Sequence, residues 1–383
     1  MGLKEKEKMQ FDDHYDVSIF LNKGHFGDVY RCFEKSTGNE FAVKIITFRT
    51  NADGNRIHSS REGAIWRRLK HRNIVELIRI FRTPTEHYLV MEHVKDGNLF
   101  DQVVNFTTYT ERDACHFMRQ LLETLVYLRE KRVIHRDIRT DNLLIKQNRC
   151  GEILKLSDFG LAMRLEKGKK FVKVEANGAP LHLAPETILE KPVNYAVDAW
   201  SAGVILFTLL GGYPPFWNEK LETLYADIIT RDVRMSSPYW DNVSHHAKEL
   251  ILGLLDKNPI TRITAETALN HPWIDIHTEI PKMHRRKTVE KLKEFNARRK
   301  LRGAIFTVQT IYRMQSPKRS SYDGTKNRKV SVGTRLFKIT EQERRSSVAV
   351  TIDKDMPSRR KVSEVNVLLQ RKNDFPGLRG IHI

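Results

Sequence analysis

Cysteine is scarce: the chain of 383 residues holds three, Cys32, Cys115 and Cys150. Thiols so few and scattered exclude a disulfide framework and fit no metal-knuckle spacing, so a reducing, cytoplasmic compartment is expected. Long apolar runs are missing as well. The longest, Ala202 to Leu210, is sized for a core helix and falls short of the ~20 residues of a membrane span. The first ten residues are charged, so no secretory signal is expected, and Lys6 stands where a myristoylation start wants Ser or Thr. Acidic residues run short at one end only: residues 1–280 carry 39 Lys+Arg against 38 Asp+Glu, and residues 281–383 carry 27 against 9. A neutral body argues against nucleic acid as its partner, and a basic tail marks a segment for acidic partners.

What is present begins with composition. Hydrophobic residues make up 40% and charged residues 30%, enough for a two-lobed body with a sizeable core and an extension. The most informative stretch is His135-Arg136-Asp137, with Asn142 five residues beyond the aspartate and Asp158-Phe159-Gly160 after a strand-like Ile153-Leu154-Lys155-Leu156. Moving a phosphoryl group needs a carboxylate beside the incoming hydroxyl, here Asp137. It also needs oxygen ligands that hold magnesium between phosphates, here Asn142 and Asp158. Either tripeptide alone is weak evidence. In this order and spacing they resemble the catalytic loop and metal-binding triplet of protein kinases.

The flanking chain is consistent with that resemblance. Residues 17–21, 28–32 and 40–46 read as strands, and Leu21, Asn22, Gly24, Gly27 and Val29 resemble a glycine-rich loop laid over phosphates, with Asn22 in place of the first glycine. Asparagine suits left-handed backbone, so the change is expected to be mild. Ala42 and Lys44 resemble the strand whose lysine holds the α and β phosphates, and Glu62, in a helix expected over 57–70, is the natural ion-pair partner of Lys44. Gly63 inside that helix suggests mobility. Two more strands, 75–82 and 87–91, lead into Met91-Glu92-His93-Val94, similar to the hinge under adenine, with Leu144 on the opposite side of the slot. Helices are expected over 98–104 and 111–131, the latter with a core stripe of Phe117, Leu121, Leu125 and Leu128. Glu186 is expected to pair with Arg262, and Asp198 to open a buried helix.

Gly212-Tyr213-Pro214-Pro215-Phe216-Trp217, His271-Pro272-Trp273-Ile274 and above all the run from Phe295 to Ile305 resemble the calcium/calmodulin-dependent protein kinases, nearest to type II. That resemblance implies an α+β bilobal fold, with a small antiparallel-sheet lobe carrying one helix, a larger helical lobe and a regulatory helix. It implies ATP and Mg2+ as cofactors. It divides the chain into an extension (1–13), a kinase domain (14–274), an autoinhibitory and calmodulin-binding segment (275–315) and a basic tail (316–383). Calmodulin contacts fall on Arg298, Arg299, Lys300, Leu301, Arg302, Ile305 and Ile311, a basic amphipathic pattern. Thr288, with Arg285 at minus three, resembles the autophosphorylated threonine, and Thr307 a site whose phosphate would block calmodulin. Partners implied are calcium-loaded calmodulin and proteins with Arg at minus three from the acceptor. The tail is short for an oligomerising hub, so a monomer is expected.

Four positions depart from the family pattern. Arg139 stands for a lysine on the γ-phosphate, Ala179 for a threonine that bonds the catalytic aspartate, His182 for a tyrosine, and Asn98 for a glutamate, which leaves Asp101 and Asp141 to read a substrate's arginine. Between Leu161 and Glu186 there is no Ser, Thr or Tyr, so control has to come from 281–312 or be absent. Two other readings stay open: a weak pseudokinase acting as an ATP- and calmodulin-binding scaffold, and a calmodulin-binding interaction protein without nucleotide chemistry.

Overall fold

The computed structural model describes residues 10–24, 26–48, 61–149, 151–275 and 281–298. The smaller lobe is built from α1 (Phe11–His14), β1 (Tyr15–Lys23), β2 (Asp28–Glu34), β3 (Glu40–Thr47), α2 (Glu62–Trp66), β4 (Leu77–Arg82) and β5 (Glu86–Glu92). Its five strands run antiparallel in the order β1-β2-β3-β5-β4, which puts β3 at the centre. Period-2 alternation then sorts β3 by face. Ala42 and Ile46 face the main core with Lys44 between them, whereas Val43, Phe41 and Ile45 face outward into a second cluster.

That outer cluster reaches into the expected N-terminal extension. Phe11 is buried, stacked 5.4 Å from Tyr15 and 4.5 Å from Tyr88. The end of that extension thus packs on the sheet.

Helix α2 is also shorter than its pattern suggests. It ends at Trp66, where the Arg68 and Leu69 amides bond back three residues, to Ile65 and Trp66, and tighten the last turn. Residues 57–60 of the expected helix lie outside the described residues. Gly63 has a packing role: a Cβ there would stand 3.0 Å from Ile80 Cδ1 and 3.1 Å from Leu89 Cδ2. The missing side chain lets the helix sit close to the sheet, which brings Glu62 within reach of Lys44.

The larger lobe follows, with α3 (Leu99–Asn105), α4 (Glu111–Glu130), β6 (Val133–Ile134), β7 (Leu143–Asn148), β8 (Gly151–Leu156), β9 (Met163–Arg164), α5 (Pro185–Ile188), α6 (Ala196–Gly211), α7 (Leu221–Thr230), α8 (His245–Leu254) and α9 (Ala265–Leu269). Thr110 opens α4 with a capping box to Asp113, and the stripe of Phe117, Leu121, Leu125 and Leu128 is buried as expected. Helix α6 is apolar all round, so it lies at the centre of the lobe, and Gly212 closes it at φ 85°. One buried carboxylate joins distant parts of this lobe. Glu111 accepts from Trp273 Nε1 at 2.8 Å and from the Ser244 amide at 3.1 Å, and the Ser244 hydroxyl also donates to it.

Residues 286–298 form a further helix on this lobe. No helix among the described residues is long and apolar enough to cross a membrane.

Candidate active site

The cleft between the lobes collects the residues singled out from the sequence. From β3, Lys44 Nζ reaches Glu62 of α2 at 2.9 and 3.0 Å and Asp158 Oδ1 at 2.7 Å. Lys44 and Glu62 are buried and Asp158 is half-buried. Burial alone would lower the Lys44 ammonium, but Glu62 and Asp158 outweigh it and hold the charge firmly. Burial pushes the Glu62 carboxyl up against the pull of Lys44, while Asp158, which desolvation alone would raise, ends below its ordinary range because Lys44 and the Gly160 amide stabilise its anion.

The loop expected to be catalytic is held by a network of its own. Asp137 is fixed by Asn142, whose amide donates to Asp137 Oδ2 at 2.9 Å and to its carbonyl at 2.8 Å. Asn142 sits in a 3-10 turn over Thr140–Asn142, and its own carbonyl accepts from the Ser157 amide at 2.9 Å, tying the loop to the residue before Asp158. The loop's backbone is held from below by Asp198 at the start of α6. Its carboxylate accepts the His135 and Arg136 amides at 2.8 and 2.9 Å, an arrangement that supports the left-handed φ of 69° at Arg136.

Arg136 itself donates to two carbonyls of the 161–186 segment, Leu161 at 3.3 Å and Glu175 at 2.9 Å. The segment that lacks hydroxyl side chains is thus held through its main chain. Its end is anchored by the expected pair: Arg262 Nη1 and Nη2 meet Glu186 at 2.6 and 2.9 Å, fully buried.

Above the cleft, the glycine-rich turn closes with the Gly24 amide on the Gly27 carbonyl at 2.9 Å. A Cβ at Gly27 would lie 2.2 Å from the Ile45 carbonyl oxygen, an obstruction by backbone that cannot swing aside. Gly27→Ala is therefore expected to destabilise the protein by about 1–3 kcal/mol, read as a lower urea midpoint; an unchanged midpoint would show that this turn relaxes freely. Asn22 differs from expectation. It lies in extended β1 opposite Val29 and is absent from the positive-φ positions, so its tolerance of left-handed backbone is not used.

Of the residues expected around adenine, Ala42, Met91 and Val94 lie in the main core and Leu21, Val29 and Leu144 pack against it. Glu92 is oriented differently from a ligand-facing residue. Its carboxylate accepts from Lys155 at 2.6 Å, Lys146 at 3.1 Å and the Glu76 amide at 2.9 Å, and these partners outweigh burial to hold it below its ordinary range.

Three further residues were not singled out by sequence reasoning. Trp66 packs on Phe159, ring centroids 5.6 Å apart, and so couples α2 to the Asp158 triplet; its place four residues after Glu62 on the same helix was the available signal. Lys155 and Lys146 hold the hinge, and nothing local marks them. Arg139, expected on a phosphate, turns its Nε to Asp141 at 3.0 Å with Nη2 also in contact, so Asp141 is engaged by the chain's own cation.

Residues 281–298 lie against the larger lobe. Arg285 is buried and donates to the carbonyls of Asn242, Leu210 and Tyr239 at 3.1, 2.9 and 3.0 Å, and the Thr288 hydroxyl donates to the same Leu210 carbonyl at 3.0 Å. Phe295 meets Phe100 and Trp217, and Asn296 donates to Asp101 at 2.9 Å. Arg298 is exposed; Arg299, Lys300, Leu301, Arg302, Ile305, Thr307 and Ile311 lie outside the described residues.

Comparison with known proteins agrees with this geometry. The protein kinase domain model matches residues 15–274. Over 313 residues the chain is 42% identical to a Caenorhabditis briggsae calcium/calmodulin-dependent protein kinase type II, covering 82% of this chain and 58% of that protein. It is 42% identical over 305 residues to the Drosophila melanogaster type II alpha chain, covering 79% and 57% of the two chains, and 41% identical over 330 residues to the Oryctolagus cuniculus type II subunit delta, covering 85% and 62%. The chain thus spans about three fifths of the length of these relatives. A matched kinase domain and a bilobal α+β fold that joins Lys44, Glu62 and Asp158 lead to one statement: the chain belongs to the protein kinase family, with sequence similarity to its calcium/calmodulin-dependent type II members.

Proposed function

We propose that the protein is a serine/threonine kinase that moves the γ-phosphate of ATP to a protein hydroxyl and is restrained by its own 281–298 segment until calcium-loaded calmodulin releases it. The observation that carries the catalytic half is the Lys44–Glu62 and Lys44–Asp158 pairing, which sets a buried cation beside a carboxylate that can take magnesium. The donor set fits that ion. Asp158 and Asn142 offer carboxylate and amide oxygens, and hard oxygen donors are what magnesium selects. Magnesium with ATP supplies charge neutralisation at the transferred group.

The chain does the rest by position. Lys44 orients the α and β phosphates. Asp137, held by Asn142, accepts the proton of the incoming hydroxyl and aligns it, and the backbone over Gly24 and Gly27 limits water above the phosphates. Arg139 lends positive charge near Asp137 while bonded to Asp141. The scaffold reading draws no support from the site, since these parts are in place. The expectation of a monomer draws none from the comparisons.

The restraint rests on what 281–298 covers. Phe295 and Asn296 occupy Phe100, Trp217 and Asp101, the acidic position expected to read a substrate's arginine. Thr288 is 2% exposed, so its phosphorylation requires that the segment leave. The deciding experiment follows phosphate transfer from magnesium-ATP to an Arg-x-x-Ser peptide with and without calcium-loaded calmodulin. Transfer that rises with calmodulin, together with Thr288 labelling confined to the calmodulin arm, is the expected result. Equal transfer in both arms would leave the kinase and remove the restraint; no transfer in either would remove the kinase.

A further inference from the structure

On the larger lobe, away from the catalytic residues, α8 opens with two adjacent histidines and carries a carboxylate one turn later. His245 and Glu249 are four apart and His246 and Glu249 three apart, spacings that share a helix face. His245 Nδ1 lies 3.9 Å and His246 Nδ1 3.6 Å from Glu249 Oε2, and the three donor atoms lie within 4.8 Å of one another. Ligand bonds of about 2.0–2.1 Å in a tetrahedron place donor atoms roughly 3.3–3.4 Å apart. Closing onto one ion asks these side chains to move by a few tenths of an ångström to about an ångström, within the reach of exposed rotamers.

A third histidine stands near the carboxylate. His271, just past α9, brings Nε2 to 3.7 Å from Glu249 Oε2, while its Nδ1 accepts the Trp273 amide proton at 3.2 Å. With Nδ1 engaged as acceptor, Nε2 is the ring nitrogen that faces Glu249, and His271 stands beside the three-donor group without belonging to it.

We propose that His245, His246 and Glu249 bind a late first-row divalent cation such as Zn2+, with water completing the coordination. Two imidazoles and a carboxylate suit zinc and disfavour magnesium or calcium, which take oxygen sets. The proposal is independent of the kinase reading.

The test titrates Zn2+ calorimetrically into the full chain without nucleotide, at about pH 7.5, above the ordinary histidine pKa of about 6.5. Wild type, Glu249→Gln and the double variant His245→Ala/His246→Ala are compared. The expected result is one zinc equivalent in wild type that weakens at least about tenfold in each variant, with a visible Co2+ absorption band lost in parallel. Equal unfolding midpoints without metal would show that the exposed substitutions leave the fold alone. Zinc binding of the same affinity and stoichiometry in all three proteins, or none in wild type, would overturn the proposal.

Discussion

Asp137→Asn is expected to lower phosphate transfer to a peptide by about 10²- to 10⁴-fold, the range spanned by a positioned general base. Asparagine fills the same volume, and its amide oxygen can still accept from Asn142 Nδ2, which stands 2.9 Å from Asp137 Oδ2. Shape and loop geometry therefore survive while the proton acceptor is lost. ATP affinity and the unfolding midpoint should hardly change, because Lys44 keeps its bonds to Glu62 and Asp158. A titration of ATP by fluorescence alongside the transfer assay separates the two effects. Transfer by the variant within a few-fold of wild type would take Asp137 out of the chemistry and shift attention to how Lys44 and Arg139 place the phosphates.

Arg262→Ala should cause the largest loss of stability, about 3–5 kcal/mol, the usual penalty for leaving a buried ion without its partner. The Arg262 side chain is 0% exposed and Glu186 is 3% exposed. The guanidinium also donates to the Ala196 carbonyl and the Asp256 carbonyl, both at 2.7 Å, and lies over Trp200 at 5.1 Å. Its removal strands the Glu186 carboxylate, two carbonyls and an indole face together. The double variant Glu186→Leu/Arg262→Met is expected to recover part of the loss, since apolar groups of similar size leave no orphaned charge. Chemical denaturation of the single and double variants measures both. If the double variant were no more stable than Arg262→Ala, the loss would belong to packing over Trp200 and not to the unpaired carboxylate.

Pairs whose members each carry a recognisable chemical demand were the legible part of the sequence. Lys44 asks for a carboxylate and Glu62 supplies one; Glu186 and Arg262 answer each other across the larger lobe. The strands around Lys44 and the stripe of α4 were legible because alternation and helical spacing carry their own periods. What stayed hidden depends on approach and not on pattern. Gly63 reads as a weak point in a helix until the sheet is seen 3.0 Å from where its Cβ would stand. Asn22 reads as a turn residue until β1 is seen to extend through it. Asp141 reads as a reader of substrate cations until Arg139 is found on it. The docking of Arg285 was equally hidden, because main-chain carbonyls, its three partners, have no signature in a sequence.

The Glu111 carboxylate bears on how the chain is made. Its partners lie 133 residues away at Ser244 and 162 residues away at Trp273. Contacts so far apart require large loops to close before they contribute, which slows folding. On a ribosome, α4 emerges well before either partner, and its first turn carries an acid that the finished lobe buries. The larger lobe is then bound to wait until residue 273 has cleared the exit tunnel, leaving α4 and α6 apolar surface exposed in the interval. A nascent chain in that state is the kind of species that chaperones hold.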